Sequence, residues 1–115
     1  MLATRRQISS MVVAILGFSV GAVTTAPAQE VTLDIAVQNQ RFEPAELHAP
    51  ANRPILIRIK NNDSKPIEFE SKSLRVEKVI AAKSQGIVRV RALAPGRYEF
   101  EDDFNKATRG VLVVQ

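Results

Sequence analysis

Residues 95–115 read PGRYEFEDDFNKATRGVLVVQ, and they decide the fold. Pro95 and Gly96 make a turn, after which Tyr98 and Phe100 alternate with Arg97, Glu99 and Glu101. A period of two belongs to a strand with one buried face. Residues 111–114, VLVV, make a second strand, with Val111 and Val113 expected in the core. The connection between them carries Asp102, Asp103, Asn105, Lys106, Thr108 and Arg109. A polar loop at the end of two buried strands is where binding chemistry tends to sit on an all-β scaffold.

The same period recurs upstream. Val31, Leu33, Ile35 and Val37 alternate with smaller or polar residues, and Ile55, Ile57 and Ile59 alternate with Leu56, Arg58 and Lys60. Between them Phe42, Pro44 and Leu47 form an irregular segment, which the proline confines to a sheet edge. The cluster Asn61-Asn62-Asp63-Ser64-Lys65-Pro66 makes a turn and delivers a short strand over residues 67–70, with Ile67 and Phe69 on one face and Glu68 and Glu70 on the other. A strand over 74–80, a turn at Gly86 and a strand over 87–93 complete the pattern, although residues 71–78 could instead wind into a short helical turn. Seven or eight strands about ten residues apart, without a sustained helical period, predict an all-β antiparallel sandwich.

The first 28 residues read as an export signal rather than as fold. Arg5 and Arg6 precede an apolar run over residues 11–23, and Ala26-Pro27-Ala28 supplies a cleavage pattern just before Gln29. The run is shorter than the ~20 residues a spanning helix needs, so no stable membrane insertion is expected after cleavage. Thr4-Arg5-Arg6-Gln7-Ile8 resembles the start of a twin-arginine signal without the remainder of that motif, which leaves the export route open. Residues 29–115 then make one small domain. Arg5 and Arg6 supply two of the +4 formal charges, which removes the main support for a nucleic-acid partner. The absence of cysteine excludes disulfides, thiolate ligands and a cysteine nucleophile.

Phe42-Glu43-Pro44, the 61–66 turn leading into a strand, and Gly96-Arg97-Tyr98-Glu99-Phe100 followed by a loop and Gly110-Val111-Leu112-Val113-Val114 together resemble the cupredoxin superfamily. More narrowly, Glu68-Phe69-Glu70-Ser71, Leu74, Glu77-Lys78-Val79-Ile80 and Asp103-Phe104 are similar to small periplasmic cupredoxin-like proteins that accompany bacterial ferrous-iron permeases. The resemblance implies a Greek-key β-sandwich, a periplasmic location and a part in handling iron or copper. It also implies an inner-membrane iron permease, or its periplasmic component, as partner. The ligand positions of blue-copper members fall on Ile67, Asp102, Asn105 and Thr108. None of these is a thiolate or an imidazole, so a blue-copper centre is excluded by residue chemistry. The narrower group usually has a histidine where this chain has Asn105.

The metal-ligating candidates are therefore Glu68, Glu70, Asp102 and Asp103. On a strand, Glu68 and Glu70 project to one side about 7 Å apart, and they chelate only with help from the acids at 101–103. If the sandwich brings these groups together, an oxygen-rich site results, which favours hard cations such as Fe(III), Mn(II) or Ca(II) over Cu(I). The alternative is a solvated, charge-balanced strand face. His48, the single histidine, matches no family ligand, and Glu77-Lys78, next to Arg75, is expected to make ion pairs across the sheet, a structural role. No triad or phosphate loop can be assembled from these residues, so no enzyme is expected. Two functions remain: an exported metal-handling accessory, and a cupredoxin-like module that has lost its metal and binds protein.

Overall fold

The computed structural model describes residues 29–115 together with 12–21 and Thr4. Arg5, Arg6 and the expected cleavage pattern at 26–28 lie outside the described residues. Residues 12–21 form neither helix nor strand, and Val12, Val13, Ile15, Leu16, Phe18 and Val20 are 70% to 94% exposed. Among the described residues no helix is long and apolar enough to cross a membrane.

Nine strands are described: β1 (Val31–Gln38), β2 (Arg41–Glu43), β3 (Glu46–Ala49), β4 (Ile55–Asn61), β5 (Ile67–Ser71), β6 (Val76–Ile80), β7 (Gln85–Val90), β8 (Gly96–Asp102) and β9 (Asn105–Val114). They form a sandwich of two sheets, in the orders β2-β1-β4-β7 and β3-β9-β8-β5-β6. The expected count of seven or eight becomes nine because the segment around Pro44 divides. A proline cannot donate to a ladder, and the chain on either side of it takes opposite sheets, with β2 and β3 each at an edge. That crossing also corrects the expectation of purely antiparallel pairing. Having passed through both sheets, the chain returns to lay β4 parallel to β1, from Val31↔Ile55 to Val37↔Asn61. β3 likewise runs parallel to β9.

Three further local readings change for identifiable reasons. The turn assigned to Gly86 lies at residues 81–84, and Gly86 is within β7, opposite Ile59. A Cβ there would stand 2.8 Å from Ile80 Cγ1, so close packing rather than chain reversal accounts for the glycine. Residues 72–75 form a turn with Arg75 at φ 56°, and Leu74 plugs the core from it, with Ser71 Oγ accepting its N–H at 3.1 Å. In β9 the core cluster takes Leu112 and Val114, paired with Tyr98 and Gly96, while Val113, buried as expected, lies outside that cluster and Val111 is only half-buried. The run VLVV contains no polar residue to mark the phase.

The core closes around Phe42, Phe69 and Phe100, whose ring centroids lie 5.0 to 6.0 Å apart. Phe42 meets the other two rings edge-on, at 82° and 81°, while Phe69 and Phe100 are tilted by 31° to each other. Gly110 faces Phe100 across the β8–β9 ladder. A Cβ on Gly110 would press into the Phe100 ring and lie 2.8 Å from the Ala45 carbonyl oxygen, which is held in place by the Val111 N–H at 2.9 Å. Neither neighbour can retreat cheaply. Gly110→Ala is therefore expected to cost about 1–3 kcal/mol, the usual range for overpacking, read as a lower urea midpoint with unchanged slope.

Candidate metal site

β5 carries Ile67, Phe69 and Ser71 into the sandwich and turns Glu68 and Glu70 outward, as strand alternation requires. The chemistry-bearing connection after β8 is much tighter than the sequence suggests. Asp102 pairs directly with Asn105, so Asp103 and Phe104 alone form the hairpin turn, and residues 105–109 are already strand. The tip is fastened to β5: the Asp103 N–H donates to the Glu68 carbonyl at 2.8 Å. This bond carries the Asp103 side chain to the two glutamates. One carboxylate oxygen from each of Glu68, Glu70 and Asp103 lies within 4.8 Å of the others.

Asp102, the fourth candidate, does not join them. It is 5% exposed, and its Oδ1 accepts the N–H groups of Glu68 at 2.9 Å and Phe104 at 3.0 Å. Adjacent residues on a strand point to opposite sides, and here Asp102 takes the inner side as a brace between β5 and the hairpin. His48 is also apart, on β3 at the far edge of the same sheet, where its Nε2 lies 3.4 Å from Glu46 Oε2.

Two more acids complete the local field. In the β6-β5-β8 ladder Glu77, Glu70 and Glu101 stand directly opposite one another. Like charges so placed repel. The expected cross-sheet ion pairs of Glu77 and Lys78 are not formed among the described residues. Instead the Glu77 carboxyl contacts that of Glu68. That contact, then burial, then the charges of Glu77, Asp103 and Glu70 push Glu68 up to about 7. The Glu70 carboxyl is also raised, first by its contact with Asp103, then by burial and the surrounding acids. Asp103 is held below its ordinary value, first by Lys106 and then by a hydrogen bond from Glu70. Lys106 Nζ lies 3.1 Å from Asp103 Oδ1 and 4.0 Å from Glu101 Oε1.

Glu77 and Lys106 thus belong to the site and were missed as members of it. Glu77 was discoverable, because a hairpin turning at 72–75 sets Glu77 opposite Glu70. Nothing in the local sequence signals the reach of Lys106 across the hairpin.

The four positions corresponding to blue-copper ligands are taken up by the framework. Ile67 is buried, Asp102 braces two amides, the Asn105 Nδ2 donates to Gln40 Oε1 at 3.3 Å, and the Thr108 hydroxyl donates to the Gln40 carbonyl at 2.6 Å. Neither a thiolate nor an imidazole is among them. Copper added to the protein is expected to give no intense blue charge-transfer absorption, and the appearance of that band would overturn this ligand assignment.

A Cupredoxin-like domain model matches residues 10–114. No curated protein matches the chain. Among solved structures, the metal-binding domain of the Cu(I)-exporting P-type ATPase CopA of Streptococcus pneumoniae superposes with a TM-score of 0.64 at 16% identity, covering 78% of this chain and 99% of that one. Auracyanin A, a blue copper protein of Chloroflexus aurantiacus, gives 0.64 at 17% identity over 76% of this chain and 100% of its own. An oxidised amicyanin variant gives 0.58 at 14% identity over 72% and 81%. At such identities the likeness is one of fold, and with the family match it identifies the chain as a member of the cupredoxin-like domain family.

Proposed function

We propose that the protein is an exported, periplasmic accessory of metal handling that binds a cation through Glu68, Glu70 and Asp103 and delivers it within an iron-uptake system. The observation that carries this reading is the convergence of three carboxylates from two separate parts of the chain, within 4.8 Å. Clustered acids repel, and a bound cation relieves that repulsion. An all-oxygen donor set selects hard ions, so iron is the preferred cargo and copper would be taken as Cu(II). Export is supported by the leader-like pattern of residues 1–28 and by the exposure of the apolar side chains at 12–20. The role is binding and transfer, with no catalytic step. The partner is an inner-membrane iron permease or its periplasmic component, in keeping with the resemblance at residues 68–80 and 103–104.

A second reading, a metal-free module that binds protein, is favoured by one feature. Asp102, Asn105 and Thr108, at the superfamily's ligand positions, all make framework hydrogen bonds. Equilibrium titration with Mn(II), Fe(III) citrate and Cu(II) separates the two. One equivalent bound by the wild type and lost in Glu68→Gln/Glu70→Gln supports the metal reading, whereas no binding by the wild type leaves the interaction module.

A further inference from the structure

The carboxylate trio already has a positive charge at its rim. Lys106 follows the hairpin tip on β9, and its ammonium contacts Asp103 at 3.1 Å and Glu101 at 4.0 Å. The side chain is 66% exposed, so a change of rotamer frees it into water. Arg109 lies farther out, 3.8 Å from Glu101 Oε2. Its Nε donates to the Lys106 carbonyl at 2.8 Å, which keeps the guanidinium on the Glu101 side. Lys72 acts on Asp103 at longer range.

Glu68 is in a different position. It is 9% exposed, its oxygen is turned into the trio, and no cation pairs with it among the described residues. A carboxylate so far removed from water ordinarily has a positive partner. The Lys106 ammonium reaches Asp103 and Glu101, whereas the side chain in contact with Glu68 is another acid, Glu77. The trio is thus half-neutralised: its outer wall is satisfied by Lys106 and its inner wall is open to a second cation.

We propose that Lys106 is a built-in counter-ion of this site, which an arriving metal must displace from Asp103, and that it thereby sets the affinity low enough for the metal to be passed on. The inference rests on the metal reading above. The physical basis is Coulomb repulsion. An ammonium remaining about 5 Å from a bound ion in a water-like dielectric weakens a divalent cation roughly tenfold and a trivalent one several times more. Because the ammonium is on a flexible stem in water, the effect is screened by salt. A lysine suits the role better than an arginine, since a single point charge makes no bidentate grip on the carboxylate.

The test is calorimetric titration of Mn(II) and terbium(III), a soluble hard trivalent probe, into wild type, Lys106→Gln, Lys106→Arg and Arg109→Gln at low ionic strength. Lys106→Gln is expected to bind Mn(II) roughly tenfold more tightly than wild type, with a larger gain for terbium(III). Lys106→Arg should bind no more tightly than wild type, and Arg109→Gln should gain less than Lys106→Gln. Equal affinity of wild type and Lys106→Gln for both ions, or weaker binding by the variant, would overturn the counter-ion role while leaving the metal site standing. Absence of binding by every form would overturn the metal reading itself, and this inference with it.

Discussion

Asp102→Ala is expected to destabilise the protein by about 2–4 kcal/mol, the cost of leaving the buried Glu68 amide without an acceptor, at about 1–3 kcal/mol, and the half-buried Phe104 amide, at less. The carboxylate is buried, and one of its oxygens receives both the Glu68 and the Phe104 amide. Both amides lose their partner in the alanine variant. For a domain of this size each kcal/mol moves the thermal midpoint by about 4–8 °C, so a fall of ten degrees or more should be seen. Asp102→Asn keeps an oxygen in place and should lose less. Cation binding, measured well below the lowered midpoint, should persist. The Asp103 amide still bonds the Glu68 carbonyl, and none of the three converging oxygens belongs to Asp102. A variant of wild-type stability that no longer binds cations would restore Asp102 as a ligand.

That distinction between Asp102 and Asp103 marks where sequence reading stops. Period-two alternation correctly placed Ile57, Ile59, Phe69 and Phe100 inside, and it put Glu68 and Glu70 on one side of β5 because each has an apolar neighbour to fix the phase. At residues 101–103 three acids run together: Phe100 sets the phase that carries Asp102 inward, but nothing in the run marks where the strand ends and which acid turns to β5. The approach of Asp103 to Glu68 and Glu70 is instead dictated by a register shift at Glu101/Asp102 and a two-residue hairpin, features of backbone geometry that composition does not encode. In the VLVV run at the end of β9 no polar residue marks which side faces the core cluster, and Leu112 and Val114 take it. The parallel pairs were also hidden, since pairing direction depends on where the chain crosses between sheets and the crossing is set by Pro44. The acidic site was legible as a set of residue types, but its membership was decided by strand register.

The apo protein is expected to gain stability as the pH falls from about 8 to about 5, opposite to the usual weakening in acid. Glu68 has an ordinary value of 4.5 and is pushed up to about 7 in the fold. Between those values the folded chain holds a proton that the unfolded chain releases. The stabilisation is therefore complete below about 4.5 and is lost as pH rises through about 7. Glu70, also raised, acts in the same direction. Asp103, lowered from 3.8, works in the opposite sense, but its contribution fades only as pH falls below that value, outside this window. A cation needs the same carboxylates deprotonated, so its effect should be greatest at about pH 8 and shrink towards about pH 5 as protons compete. At about 100 times its dissociation constant it adds roughly 2.7 kcal/mol, or about ten to twenty degrees in midpoint. Glu68→Gln/Glu70→Gln should remove both responses. Its midpoint should be nearly flat over this pH range, above that of the apo wild type at about pH 8, and unmoved by Mn(II) or Fe(III) citrate. Thermal scans of the two proteins at several pH values, with and without metal, check all of this. A wild type as flat and as indifferent to metal as the double variant would reduce the trio to a solvated rim, leaving the metal-free interaction module as the reading for this chain.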